Sequence, residues 1–192
     1  MKKPKGRYSW AVKITIMTFI LSVTISVTTN IMLEKVNLAA AFLMLGIVVA
    51  MGIVFDIVGI AVTSASETPF HARSAKGVKG SRESIALIRS AEKVSNFCND
   101  VVGDTVGVIS GGLASAIVAL IIAEYKNLNV VVLNLVLAGI VAAVTVGGKA
   151  MGKGIAIGKS DVIIARVGII LYYFKRIFTF GFAGKKNKKR DF

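Results

Sequence analysis

The sequence predicts an all-α, polytopic membrane protein with four transmembrane helices, and three observations carry that prediction. Of its 192 residues 55% are hydrophobic, and the mean hydropathy is +0.73, more apolar than a soluble domain of this size. Four windows reach the roughly 20 predominantly apolar residues that cross a hydrocarbon layer about 30 Å thick. The Lys and Arg residues gather in alternate connections between those windows, the pattern that sets orientation in a membrane.

Taken in order, the first window is "WAVKITIMTFILSVTISVTTNIML", Trp10 to Leu33. It follows "MKKPKGR", but its apolar region is too long for a signal peptide and no small-residue cleavage site closes it. It is read as an uncleaved anchor within an N-terminal region, residues 1–37. The second window, "LAAAFLMLGIVVAMGIVFDIVGIAVT", runs from Leu38 to Thr63. The third, Val94 to Ala123, and the fourth, Leu128 to Val146, complete a three-span core within residues 38–182. A fifth apolar run, "VIIARVGIILYYF" from Val162, is shorter and interrupted by Arg166, which reads as interfacial or re-entrant.

Between the second and third windows lies a basic segment, residues 68–93. In it Ser81 and Ser84–Arg89 suggest a short helix with Ile85, Ile88 and Ala91 or Glu92 at helical spacing. Its basic face suits a membrane surface. After the fourth window, "GGKAMGKGIAIGKSD" is dense enough in glycine to predict a break or elbow at the boundary, opening a juxtamembrane segment, residues 148–182. These basic pieces are read as cytoplasmic juxtamembrane helices, and residues 183–192 as a basic cytoplasmic tail.

The net charge of +14 is mainly topological. Five Lys/Arg precede or begin the first window, six lie between Ser64 and Val94, and eleven follow Val146, whereas "LEKVN" and "EYKN" hold one lysine each. That alternation predicts a multi-pass protein of the cell (inner) membrane with both termini cytoplasmic. The Lys185–Arg190 run is a candidate for anionic lipid headgroups, and no soluble domain is present to hold nucleic acid. A single cysteine, Cys98, excludes an intramolecular disulfide and reads as a packing residue. The single His71, on the basic loop, reads as solvated. With one His, one Cys and no nucleophile–base pair, the chain is not read as an enzyme.

Charged groups inside a bilayer are rare and mark function or buried pairing. Here the candidates are Asp56 in the second window and Asp100 and Asp104 in the third. On an unbroken α-helix Asn96, Asp100 and Asp104 form one i, i+4, i+8 stripe. Beside it Asn99, Gly103, Gly107 and Gly111 form a stripe that admits a close neighbouring helix. Carboxylate, amide and hydroxyl oxygens suit a hard cation such as Mg²⁺; a proton or Na⁺ would use the same groups, and helix–helix hydrogen bonding is the alternative.

These motifs fall in an order that resembles the transmembrane domain of the cyclin M / CorB–CorC magnesium transporter family. "TSASETPFHA", Thr63–Ala72, is similar to the family's small-S-x-x-E-x-A motif, and "NFCNDVVGD" to its G-N-T-x-x-N helix entry, with Asn99 at the first Asn. "GGKAMGKGIAIGKSDVIIA" resembles G-E-x-x-P-K-x-x-A, with Gly148, Lys153 and Ala156 in register. The likeness covers roughly Leu38 to Phe182. Lys149 stands where the family has Glu, Gly152 where it has Pro, and Gly103 where it has a second Asn. The resemblance implies three core spans, cytoplasmic juxtamembrane helices, a homodimer, and Mg²⁺ held by Ser, Asn and carbonyl oxygens. By position it nominates Ser64, Ser66, Glu67 and Asn99. The sequence ends at Phe192 without the family's nucleotide-binding CBS pair, so no regulation by nucleotide is expected.

The expectation is therefore a minimal relative of that family that binds and moves Mg²⁺, Co²⁺ or a similar cation through Ser64, Ser66, Glu67, Asn99, Asp100 and Asp104, converging near one cytoplasmic helix junction. The alternative is a non-transporting scaffold or accessory subunit that packs with a partner membrane protein.

Overall fold

The computed structural model describes residues 5–33, 37–125 and 127–183. The basic tail Lys185–Arg190 lies outside the described residues. Among the described residues every element is helical: α1 Lys5–Leu33, α2 Leu38–Ser64, α3 Thr68–Ala75, α4 Ser81–Arg89, α5 Ala91–Asn96, a π-helical turn Phe97–Val102, α6 Gly103–Glu124, α7 Val130–Gly158 and α8 Ser160–Ala183. Among the described residues three helices are long and apolar enough to cross a membrane: Leu38–Ser64, the continuous Ala91–Glu124, and Val130–Gly158. The apolar stretch of α1, Val12–Thr28, is shorter.

The chain divides into two compact units, one of Met1–Ile57 and Asn96–Lys153, the other of Val58–Ser95 and Gly154–Phe192. In the first, Ala41, Leu45 and Val49 of α2 recur every four residues and meet Ile109, Leu113, Ala114, Ile117 and Val118 of α6 and Leu137 of α7 in one core. This is the i, i+4 face that an α-helix offers a neighbour. The α1 helix packs along the π-helical turn and α6, and Ser22 donates to the buried Thr105 hydroxyl at 3.4 Å. Apolar side chains left outside, such as Val131, Leu135, Val136 and Ile140 on α7, are the surface a lipid solvent accepts.

The glycine-rich stretch does not break the helix where its composition predicts. The α7 helix runs through Gly147, Gly148, Gly152 and Gly154 and stops at Gly158, with Lys159 as the only turn before α8. Packing outweighs propensity. A Cβ on Gly148 would collide with the Ile53 side chain, and one on Gly152 would lie 2.7 Å from Ile57 Cγ1, so these glycines let α2 and α7 approach. Gly52 does the same on α2, where a Cβ would sit 2.7 Å from Val106 Cγ1. By contrast a Cβ on Gly107 or Gly111 would meet nothing within 4 Å; at these two positions the predicted contact stripe is open.

The second unit packs α4 against α3 and α8. The predicted helix at Ser81–Arg89 is present, but it buries Ser81 and Ser84 and leaves Ile85 and Ile88 only half-buried. The reason is a backbone-to-backbone crossing that only small residues permit. A Cβ on Gly168 of α8 would lie 2.5 Å from the Gly80 carbonyl oxygen, and one on Gly80 would lie 2.6 Å from the Ile169 amide nitrogen. Gly80 also has a φ of +83°, a left-handed conformation that disfavours any side chain. Fully buried Ser84 bridges the crossing, its hydroxyl proton shared between the carbonyls of Gly80 at 3.1 Å and Ile164 at 3.0 Å.

Candidate cation-binding side chains

In the first unit the polar groups lie on and beside the π-helical turn. Here the Gly103 amide reaches back to the Cys98 carbonyl, five residues away, and a π turn of this kind widens the helix and is frequent at functional positions. Asn96 precedes this turn, Asp100 lies within it and Asp104 follows it. Asn96 and Asn99 are half-buried, Asp100 and Asp104 are exposed on the unit, and Cys98, Val101 and Val102 are buried beneath them. The Asn99 side-chain oxygen itself is buried.

Asp56, the one charge on α2, lies 3.4 Å from the Lys149 ammonium of α7. The side chains retain 16% and 30% of their exposure respectively, so this is a largely desolvated ion pair between two helices long and apolar enough to cross a membrane. The Lys149 ammonium is also 3.5 Å from where a Gly103 Cβ would be, so the pair lies beside the start of α6. The sequence reading treated Lys149 only as a departure from a motif. The signal available was electrostatic: a lone acid on one span calls for a cation on another.

In the second unit Ser64, Ser66 and Glu67 follow one another at the end of α2. The Ser64 hydroxyl donates to the Ile60 carbonyl at 3.0 Å, and the Ser64 carbonyl accepts from Ser160 at 3.5 Å. The Ser66 amide donates to Asp161 Oδ1 at 3.3 Å. Glu67 accepts from Arg89 Nε at 2.8 Å, and its other oxygen is 3.0 Å from His71 Nε2. The Arg89 guanidinium, then the imidazole, holds the Glu67 carboxyl below the ordinary glutamate range, and Glu67 in turn raises Arg89. His71 is thus exposed but paired rather than merely solvated. Arg89 and Asp161 are the partners that the sequence reading missed, because they lie 22 and 95 residues from the groups they hold.

Within each unit, then, the nominated residues are neighbours: Asn99, Asp100 and Asp104 in the first, Ser64, Ser66 and Glu67 in the second. Among the described residues no group of three His, Cys, Asp or Glu side chains is gathered tightly enough to ligate a metal by itself; any ligand set from these residues draws on amide, hydroxyl or carbonyl oxygens, which hard cations accept. No family model, curated protein or solved structure matches the chain.

Proposed function

We propose that this is a multi-pass protein of the cell membrane that binds and moves Mg²⁺ or a similar hard divalent cation. Asn99, Asp100 and Asp104 are the principal oxygen donors on the third core span, and Ser64, Ser66 and Glu67 form a further donor set at the end of the second. The carrying observation is that Asp100 and Asp104 are exposed on a helix apolar enough to cross a membrane, beside half-buried Asn99 on a π turn. A carboxylate facing lipid near the bilayer centre costs about 2.5–3.5 kcal/mol. Such groups are kept where a cation, water or a second protein surface receives them. The motif order shared with the cyclin M / CorB–CorC transporters supports the same reading and adds a homodimer. On this reading α1 is a fourth span, and both termini are cytoplasmic with α3, α4 and α8 on that side. The chain is not an enzyme.

Flux into liposomes tests the proposal. Mg²⁺ or Co²⁺ entry catalysed by the full chain falls to the protein-free rate in Asn99→Ala/Asp104→Ala; unchanged entry removes the site.

One observation favours a second reading, a non-transporting scaffold or accessory subunit. Asp56 and Glu67 are engaged with Lys149 and Arg89, while the Asp104 side of α6 continues into Gly107 and Gly111, both open to an incoming helix. Stoichiometric co-isolation with another membrane protein, without any Mg²⁺-dependent thermal shift, selects this alternative.

A further inference from the structure

The second unit carries a cluster of cations that neither the spans nor the proposed cation site uses. The turn between α3 and α4 reads "KGVKGSR", Lys76 to Arg82. Its two glycines, with φ of +70° at Gly77 and +83° at Gly80, fold it tightly enough to set Lys79 and Arg82 on one cavity of about 330 Å³, walled also by Ser74, Glu83 and Tyr172. Nearby charges are already committed. Arg73 lies over the Phe70 ring at 5.6 Å, and Glu83, the one acid in the wall, is 3.8 Å from Lys175. Lys76, Lys79 and Arg82 are exposed, and their side chains have no ion-pair or hydrogen-bond partner among the described residues. The cavity therefore presents uncompensated positive charge.

Tyr172 ties this cavity to α8. On that helix Ile170, Tyr173, Phe174 and Ile177 are exposed at i, i+3, i+4 and i+7, an apolar stripe with Arg166 one turn before it and Arg176 beside its end. An apolar stripe edged by cations is the pattern of a helix lying in a bilayer interface. The α8 helix also follows the membrane-crossing α7 after Lys159 alone, which keeps it within reach of that interface.

We propose that the α3–α4 turn and α8 together form a binding site for an anionic phospholipid, with Lys79 and Arg82 on the phosphate and the α8 stripe against the acyl region. Charge complementarity selects the anionic headgroup, and the apolar stripe selects lipid over a free anion.

The test uses the full chain in nanodiscs of phosphatidylcholine alone or with phosphatidylglycerol, read by amide exchange over residues 76–84. Phosphatidylglycerol slows exchange there, and phosphatidylcholine does not. Each surface cation near an anionic bilayer contributes about fivefold in affinity, so Lys79→Gln/Arg82→Gln shifts the phosphatidylglycerol concentration giving half protection by about thirtyfold. Lys93→Gln, a single exposed cation outside the cavity, shifts it by no more than about fivefold. Equal shifts in the two variants, or no protection by phosphatidylglycerol, overturn the site. Equal protection by inorganic phosphate in phosphatidylcholine discs overturns the assignment to lipid.

Discussion

The Asp56–Lys149 pair gives the sharpest handle on how this chain tolerates charge between its long apolar helices. Across 3.4 Å, attraction at an effective dielectric of ~20 is about 5 kcal/mol. The residual exposure of 16% for Asp56 and 30% for Lys149 admits screening and lowers the net coupling to about 2 kcal/mol. Removing one partner costs more than the pair contributes, because the other charge is left uncompensated. Lys149→Met and Asp56→Asn are each expected to destabilise by about 3 kcal/mol. The double variant, with no charge left between the helices, is expected to lose about 4 kcal/mol rather than the roughly 6 of two independent losses. Reversible unfolding in mixed micelles, titrated with a denaturing detergent and followed by helix content, measures all four corners of the cycle. A coupling energy below about 0.5 kcal/mol, the range of independent sites, would refute the claim that the pair is desolvated and energetically linked.

Two other perturbations follow from the second unit. Gly168→Ala drives a methyl against the Gly80 carbonyl and displaces the Ser84 hydroxyl from its two acceptors. Overpacking at about 1–3 kcal/mol then raises amide exchange of Ser84, whose N–H bonds Gly80 at 2.9 Å, by about thirtyfold for 2 kcal/mol; an unchanged rate contradicts the tight crossing. Acid acts through Glu67. Its folded carboxyl is held below the ordinary value by Arg89 and then His71, so the stabilisation is complete above the unfolded pKa and is lost as pH falls through the lower folded one. Exchange around the α3–α4 junction therefore rises on acidification below the usual glutamate range in the parent and stays level in Glu67→Gln. Equal pH dependence in the two assigns the effect elsewhere.

How much of this was legible in the sequence depends on which interaction decided each feature. The three long spans follow from length and apolarity, which are local properties, and the helix at Ser81–Arg89 follows from local periodicity. The continuation of α7 through its glycines was not legible, since composition counts glycine as a breaker while the structure uses Gly148 and Gly152 to seat Ile53 and Ile57. The π turn was equally hidden. One extra residue in a turn leaves no compositional mark, yet it changes the helix along which Asn96, Asp100 and Asp104 are spaced. For the candidate site, residue types were readable and partners were not. Asp56, Glu67 and Ser66 were singled out as oxygen donors, but Lys149, Arg89 and Asp161 are found only once distant segments are brought together.

Equilibrium binding of Mg²⁺ to the full chain in nanodiscs bears most directly on the proposed role of the π-turn oxygens. The account predicts saturable binding in the parent, weakened about tenfold or more, or about 1.4 kcal/mol, by Asn99→Ala and again by Asp104→Asn, with helix content unchanged. Saturable binding equally strong in Asn99→Ala/Asp104→Asn, or no saturable binding by the parent chain, would contradict it.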